Sequence, residues 1–204
     1  MNAELASARR GILGGAFNPP HVAHLIVAHL VREALALDEV VLVPSCVHAF
    51  KGESEASPIQ RATMAELAVA GDRCLAVDRI EVRRGGTSYT VETLDVLRER
   101  EPGTRWHLIL GQDNLSELPD WKQMERLPEL AEIVVVTRGE AALKPGLPFP
   151  ERCILVHVPD LEISSTAIRG RVAAGHSIRY WVSPPVEAFI REQGLYRTEP
   201  STSD

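Results

Sequence analysis

The sequence predicts an α/β fold whose parallel sheet is covered by helices on both faces, and three observations predict it. Apolar runs of strand length alternate with amphipathic segments of helix length along the chain. Residues 39–44 form a nearly continuous apolar run, the pattern of a strand buried on both faces. Polar and glycine-rich clusters follow the strand runs, at residues 14–24, 44–51, 111–113 and 137–139. That is the edge at which ligands meet sheets of this kind.

In chain order, residues 11–14 read as a strand with a ragged start. Residues 21–37 read as a helix whose Leu25, Ala28, Val31 and Leu35 make an apolar stripe. The 39–44 strand follows. Ser57-Pro58-Ile59-Gln60 then announces a helix: Ser57 caps free N–H groups, Gln60 returns the bond, and Pro58 suits the first helical position. Residues 74–77 carry a shorter strand signal. Residues 90–100 are helical and stop at Pro102-Gly103. Residues 106–110 and 132–137 are two further strands, separated by a polar segment that contains Trp121. Residues 153–158 are the last strand. Two helices close the chain, one opening at Ser164-Ser165-Thr166 and ending near Gly175, the other running from residue 185 to 194. Residues 140–150 read as an irregular surface loop and residues 198–204 as a disordered tail. No linker or repeat divides the chain, so residues 1–204 are expected to form a single domain in which 164–194 is a small helical C-terminal part.

A chain of 204 residues can bury a sizeable core, and 45% apolar with 25% charged residues is ordinary for a globular protein. A net charge of −6 argues against a nucleic-acid surface, so an anionic ligand would need positive potential focused in a cleft. Cys46, Cys74 and Cys153 are odd in number and form no Cys-x-x-Cys pair. They suggest neither a disulfide framework nor a zinc knuckle and read as small buried hydrophobes. No apolar run approaches the roughly 18 residues of a membrane span, and the polar start lacks the pattern of a signal peptide. A cytoplasmic location follows.

The chemistry concentrates in Gly14-Gly15-Ala16-Phe17-Asn18-Pro19-Pro20-His21-Val22-Ala23-His24. Glycines without Cβ atoms admit a polyanion close to the backbone. The helix start that follows offers N–H groups and a partial positive charge to phosphate. His21 and His24, three apart, share one helix face and can address the same oxygen atoms. Zinc binding fits less well, because helical histidine ligands are usually four apart and no further ligand is evident. A second helix start, Ile163-Ser164-Ser165-Thr166-Ala167-Ile168-Arg169, brings three hydroxyls and a guanidinium that can fork onto phosphate. Trp121 offers a flat wall for a heteroaromatic base.

The first cluster resembles the GG-x-F-[DN]-P-x-H-x-G-H signature of nucleotidyltransferases that attach a nucleoside monophosphate to a small phosphorylated substrate. Ala16 stands where that signature usually has Ser or Thr, and Ala23 where it usually has Gly. The second cluster resembles the I-S-S-T-x-I-R motif of the same superfamily. Ser88-Tyr89-Thr90 with Thr93-Leu94 is similar to the S-Y-T-x-x-T-L element of its nicotinate mononucleotide adenylyltransferase branch. The likeness extends through Gly111, Asp113, Trp121, Arg138 and the terminal Phe189-Ile190 and Gly194-Leu195-Tyr196, over nearly the whole chain. Two stretches differ: Val47-His48-Ala49-Phe50-Lys51 keeps only the lysine of the branch's Pro-Pro-His-Lys element, and Thr137-Arg138-Gly139 lacks the Arg-Pro-Gly that often follows the fifth strand.

The resemblance implies a Rossmann-like parallel sheet and transfer of AMP from ATP to nicotinate mononucleotide, giving nicotinate adenine dinucleotide and pyrophosphate in NAD biosynthesis. It implies catalytic roles for His21, His24 and Arg169. ATP would meet these three together with Gly14, Gly15, Ala16, Phe17, Gly111, Asp113, Ile163, Ser164, Ser165 and Thr166. The acceptor would meet Lys51, Ser88, Tyr89, Thr90, Trp121 and Arg138. Mg²⁺ would arrive with ATP rather than in a protein metal site, and neither nucleic acid nor membrane is an expected partner. The sequence leaves a homo-oligomer open. It also leaves open a different phosphorylated acceptor, through the altered 47–51 stretch, and a nucleotide sensor without turnover.

Overall fold

The computed structural model describes residues 7–48, 56–138 and 149–197. In chain order its elements are β1 (Arg9–Gly15), α1 (Val22–Ala34), β2 (Glu39–Pro44), β3 (Val47–His48), α2 (Pro58–Val69), β4 (Leu75–Val77), α3 (Ile80–Arg84), β5 (Thr87–Ser88) and α4 (Thr90–Arg100). They continue with β6 (Arg105–Gly111), α5 (Leu127–Leu130), β7 (Glu132–Arg138), β8 (Cys153–Val158), α6 (Ser165–Ala173) and α7 (Pro184–Glu192). Short 3₁₀ turns occupy most of residues 112–126.

Six strands form one parallel sheet in the order β4-β2-β1-β6-β7-β8. The chain builds outward from β1 to β2 and β4, returns to place β6 on the other side of β1, and then adds β7 and β8. Strand order therefore reverses between β1 and β6. In such sheets the crevice beyond the carboxyl ends at the reversal is the ligand site. Here those ends carry Gly14, Gly15 and Gly111.

The strand pattern explains both faces. Leu108 and Leu110 of β6 join one apolar cluster with Leu94, Leu97 and Ile133, whereas Ile109 between them joins the other with Ala28, Val31 and Leu42. Successive side chains point to opposite faces, so a strand apolar throughout feeds both layers. A third cluster packs Met64 of α2 against Ile168, Val186, Ile190 and Tyr196, which seats α6 and α7 against α2.

The expected caps of α2 are present: Gln60 N–H donates to Ser57 Oγ at 3.3 Å, and Ser57 N–H to Gln60 Oε1 at 2.9 Å. Helix α1 stops at Ala34 rather than residue 37, because Ala36 takes φ 47° and turns the chain toward β2. Helix α3 and the separate two-stranded parallel pair β3–β5 were not foreseen; segments this short show no periodicity. The three cysteines are free, as expected, but each is half-buried rather than enclosed in the core. The expected 140–150 loop falls outside the described residues up to 148, as do the 198–204 tail and Lys51. No helix among the described residues is long and apolar enough to cross a membrane.

Candidate active site

A cleft of about 950 Å³ opens at the carboxyl edge of the sheet, over the reversal between β1 and β6. One side is lined by residues 14–18, His21, His24, residues 163–166 and Arg169; the other by Ser88, Tyr89, Thr90 and Trp121; Gly111 lies between. The cleft thus gathers segments far apart in sequence. Asp113 sits on the turn after β6, and Arg138 ends β7.

His21 is the N-cap residue of α1, with extended backbone, and His24 lies one turn on. Their rings stack, with centroids 3.7 Å apart and planes 24° from parallel. The buried Phe17 ring meets His24 edge-on at 5.0 Å, which fixes the imidazole from the side. His21 N–H donates to His24 Nδ1 at 3.2 Å. An accepting Nδ1 leaves the proton of neutral His24 on Nε2, so the ring presents one N–H donor. Burial, and then the adjacent His21, hold the His24 pKa well below the ordinary imidazole value. His24 is therefore a neutral, preoriented donor rather than a second full positive charge. A Cβ built on Gly14 meets no protein atom within 4 Å, so the space a methyl would take there belongs to the cleft.

Helix α6 approaches the same loop from the far end of the chain. Ser164 Oγ accepts from Ala167 N–H at 3.1 Å and caps the helix. Ser165 Oγ donates to Pro19 C=O at 2.8 Å. Arg169 Nη1 donates to Asn18 C=O at 2.9 Å, and Nη2 lies 3.4 Å from Thr166 Oγ1. Tyr196 Oη donates to Asn18 Oδ1 at 2.6 Å, and Val22 N–H to Trp181 C=O at 2.9 Å. Of the three hydroxyls expected at the site, only that of Ser165 reaches this loop; with Arg169, Tyr196 and Trp181 it stitches residues 18–22 to the C-terminal part.

On the opposite wall Tyr89 is the N-cap residue of α4 and supplies no side-chain cap, so the first-turn N–H groups lack that partner. Trp121, expected in a polar loop, is half-buried and packs against the core beneath α4. Lys122 Nζ sits 4.5 Å from the Tyr89 ring centroid and 2.5 Å from Glu92 Oε1.

Two polar groups of the cleft, Arg61 and Glu81, escaped the sequence reading. Arg61 is only 2% exposed and donates to Ala16 C=O and Cys46 C=O, both at 2.6 Å. It clamps the glycine loop to the segment after β2, while burial works against its charge. Its sequence signal was a charge at a helix position shared with the apolar Ala65 and Val69 of α2. Glu81 and Thr93, both buried, meet near the start of α4; a one-turn helix gives no comparable signal for Glu81. Among the described residues no group of three or more His, Cys, Asp or Glu is placed to hold a metal ion.

The sequence model of the cytidylyltransferase-like family matches residues 12–171. A probable nicotinate-nucleotide adenylyltransferase of Roseiflexus sp. (strain RS-1) is 44% identical over 200 residues, covering 95% of this chain and 100% of its own. One of Salinibacter ruber is 42% identical over 189 residues, covering 92% and 97%. Among solved structures, the Plasmodium falciparum nicotinic acid mononucleotide adenylyltransferase complexed with NaAD superposes with a TM-score of 0.75 at 19% identity, covering 93% of this chain and 97% of that one.

Proposed function

The chain belongs to the cytidylyltransferase-like family and, within it, to the nicotinate-nucleotide adenylyltransferases, and on that premise we infer that it moves AMP from ATP onto nicotinate mononucleotide. The products are nicotinate adenine dinucleotide and pyrophosphate. One observation carries the assignment of the site: the starts of α1 and α6, with His21, His24 and Arg169, face the same cleft as the start of α4 and Trp121.

The acceptor phosphate is ionised at neutral pH, so it attacks the α-phosphorus directly and needs neither a side-chain nucleophile nor a general base. The protein's task is to hold two anions in line and to receive the charge that moves to pyrophosphate. In this reading Gly14 and Gly15 admit the ATP phosphates to the backbone, and His24 Nε2–H and His21 donate to them. Arg169 holds the loop that carries the histidines and supplies a nearby positive charge. Mg²⁺ would be held by the ATP phosphates and water rather than by a cluster of protein ligands, and would supply further positive charge. Gly111 and Asp113, at the end of β6 and on the turn after it, would meet the adenosine. Ser88, Tyr89, Thr90 and Trp121 form the acceptor end, where N–H groups suit the nicotinate carboxylate and the indole suits the pyridine ring. The three free cysteines suit a reducing cytoplasm.

Incubation with ATP and nicotinate mononucleotide tests this. Equimolar nicotinate adenine dinucleotide and pyrophosphate are expected, with no product from nicotinate riboside, which lacks the attacking phosphate. Absence of product from the mononucleotide contradicts the reading.

A further inference from the structure

Glu81 lines the cleft beside the acceptor end, yet it is a buried carboxyl where an anionic acceptor is expected. Its surroundings account for it. Thr93 Oγ1 donates to Glu81 Oε1 at 2.7 Å, and the Ser88 hydroxyl hydrogen-bonds to the same carboxyl. Ser88 Oγ in turn accepts the Cys46 N–H at 2.9 Å. Thr93 Oγ1 also lies 3.3 Å from Tyr89 C=O and 3.3 Å from Arg84 Nη2. One carboxyl therefore ties together α3, the start of α4 and the segment after β2.

Each hydroxyl has a single proton to donate, and Glu81 accepts a hydrogen bond from both Thr93 and Ser88. We propose that Glu81 is the positioning residue of the acceptor site: by engaging both hydroxyls it sets the start of α4 so that the acceptor meets backbone N–H groups against Trp121. This role rests on the acceptor reading given above. Glu81 does not touch the acceptor in this scheme; it acts through Ser88, Tyr89 and Thr93. Burial pushes its carboxyl above the ordinary range, whereas Thr93, Ser88 and Arg84 pull the other way. The hydroxyl bonds thus offset part of the cost of burying this carboxyl.

Glu81→Gln tests the proposal. Its amide oxygen accepts from one hydroxyl, but its NH₂ faces the other as an opposed donor, and the start of α4 loosens. The KM for nicotinate mononucleotide should rise about tenfold, with kcat and the KM for ATP within about twofold of wild type. Thr93→Val removes the partner hydroxyl and should shift the same constant, and the double variant should add little to either single change because the groups act as a unit. If Glu81→Gln fails to fold, as judged by thermal melting, Thr93→Val carries the same comparison. Both KM values rising together, or an unchanged acceptor KM in a folded, active variant, overturns the proposal while leaving the proposed function standing. Wild-type protein that turns over no nicotinate mononucleotide overturns both.

Discussion

In the proposed reaction His24 works through a tautomer. Its Nδ1 is committed to the His21 N–H, so its remaining proton is aimed from Nε2, and Phe17 holds the ring edge-on. His24→Ala should lower kcat by roughly 10²–10³ with little change in melting temperature, the loss expected for one preorganised donor. His29 pairs with Asp72 at 2.6 Å on a partly exposed surface, and His29→Ala should leave kcat unchanged and cost little stability. If His29→Ala proved the more damaging to turnover, the placement of the functional face would be wrong. The depressed pKa of His24 also sets a pH dependence. The unfolded chain binds its proton near pH 6.5, the folded one only at lower pH, so stability from this group is complete above 6.5 and is lost as pH falls below it. Wild-type melting temperature should therefore drop more between about pH 7 and 5 than that of His24→Gln. Gly14→Ala introduces a methyl that touches no protein atom, so the melt should stay at the wild-type value while the KM for ATP rises at least about tenfold. A fall in melting temperature with normal ATP dependence would assign Gly14 to the fold instead. These residues were legible because their chemistry is local to one short motif. Arg61 and Glu81 were not, because their partners lie in distant segments: Arg61 bonds backbone carbonyls 45 and 15 residues away.

Among the elements, the strands of the main sheet were readable from their apolar runs and α2 from its cap, since both signals are written in consecutive residues. The β3–β5 pair and α3 were not, being too short to repeat a pattern; tertiary contacts define them. The joint between α6 and the glycine loop is a long-range feature of the same kind. Arg169 spans it with a bond to Asn18 C=O, next to Ser165 and Tyr196 doing likewise for Pro19 and Asn18. Arg169→Lys keeps the charge but loses the planar fork, so ATP binding should weaken or turnover slow, with the acceptor KM little affected. An unchanged ATP dependence would place Arg169 outside the reaction. Arg61→Lys can reach only one of the two carbonyls that Arg61 now bridges. It should lower both the melting temperature and the affinity for ATP, measured by calorimetric titration.

At the scale of the molecule, a chain of net charge −6 concentrates helix starts and a few cations at one edge of its sheet, which in the proposed function is how it would handle polyanions. The reversal of strand order between β1 and β6 puts that edge where the glycine loop, α4 and α6 converge. The acceptor end is the part on which the specific function depends. Nicotinate and nicotinamide mononucleotides differ only in O⁻ against NH₂ at the ring substituent, and N–H donors at the start of α4 would bind the first and oppose the second. An opposed buried donor costs about 1–3 kcal/mol, and two such contacts give discrimination on the order of 10²-fold or more. The direct measurement is kcat/KM for the two mononucleotides with saturating ATP, followed by pyrophosphate release. A preference for nicotinate mononucleotide of about 10²-fold or more is predicted; equal values for the two acceptors would contradict a carboxylate-binding site at α4.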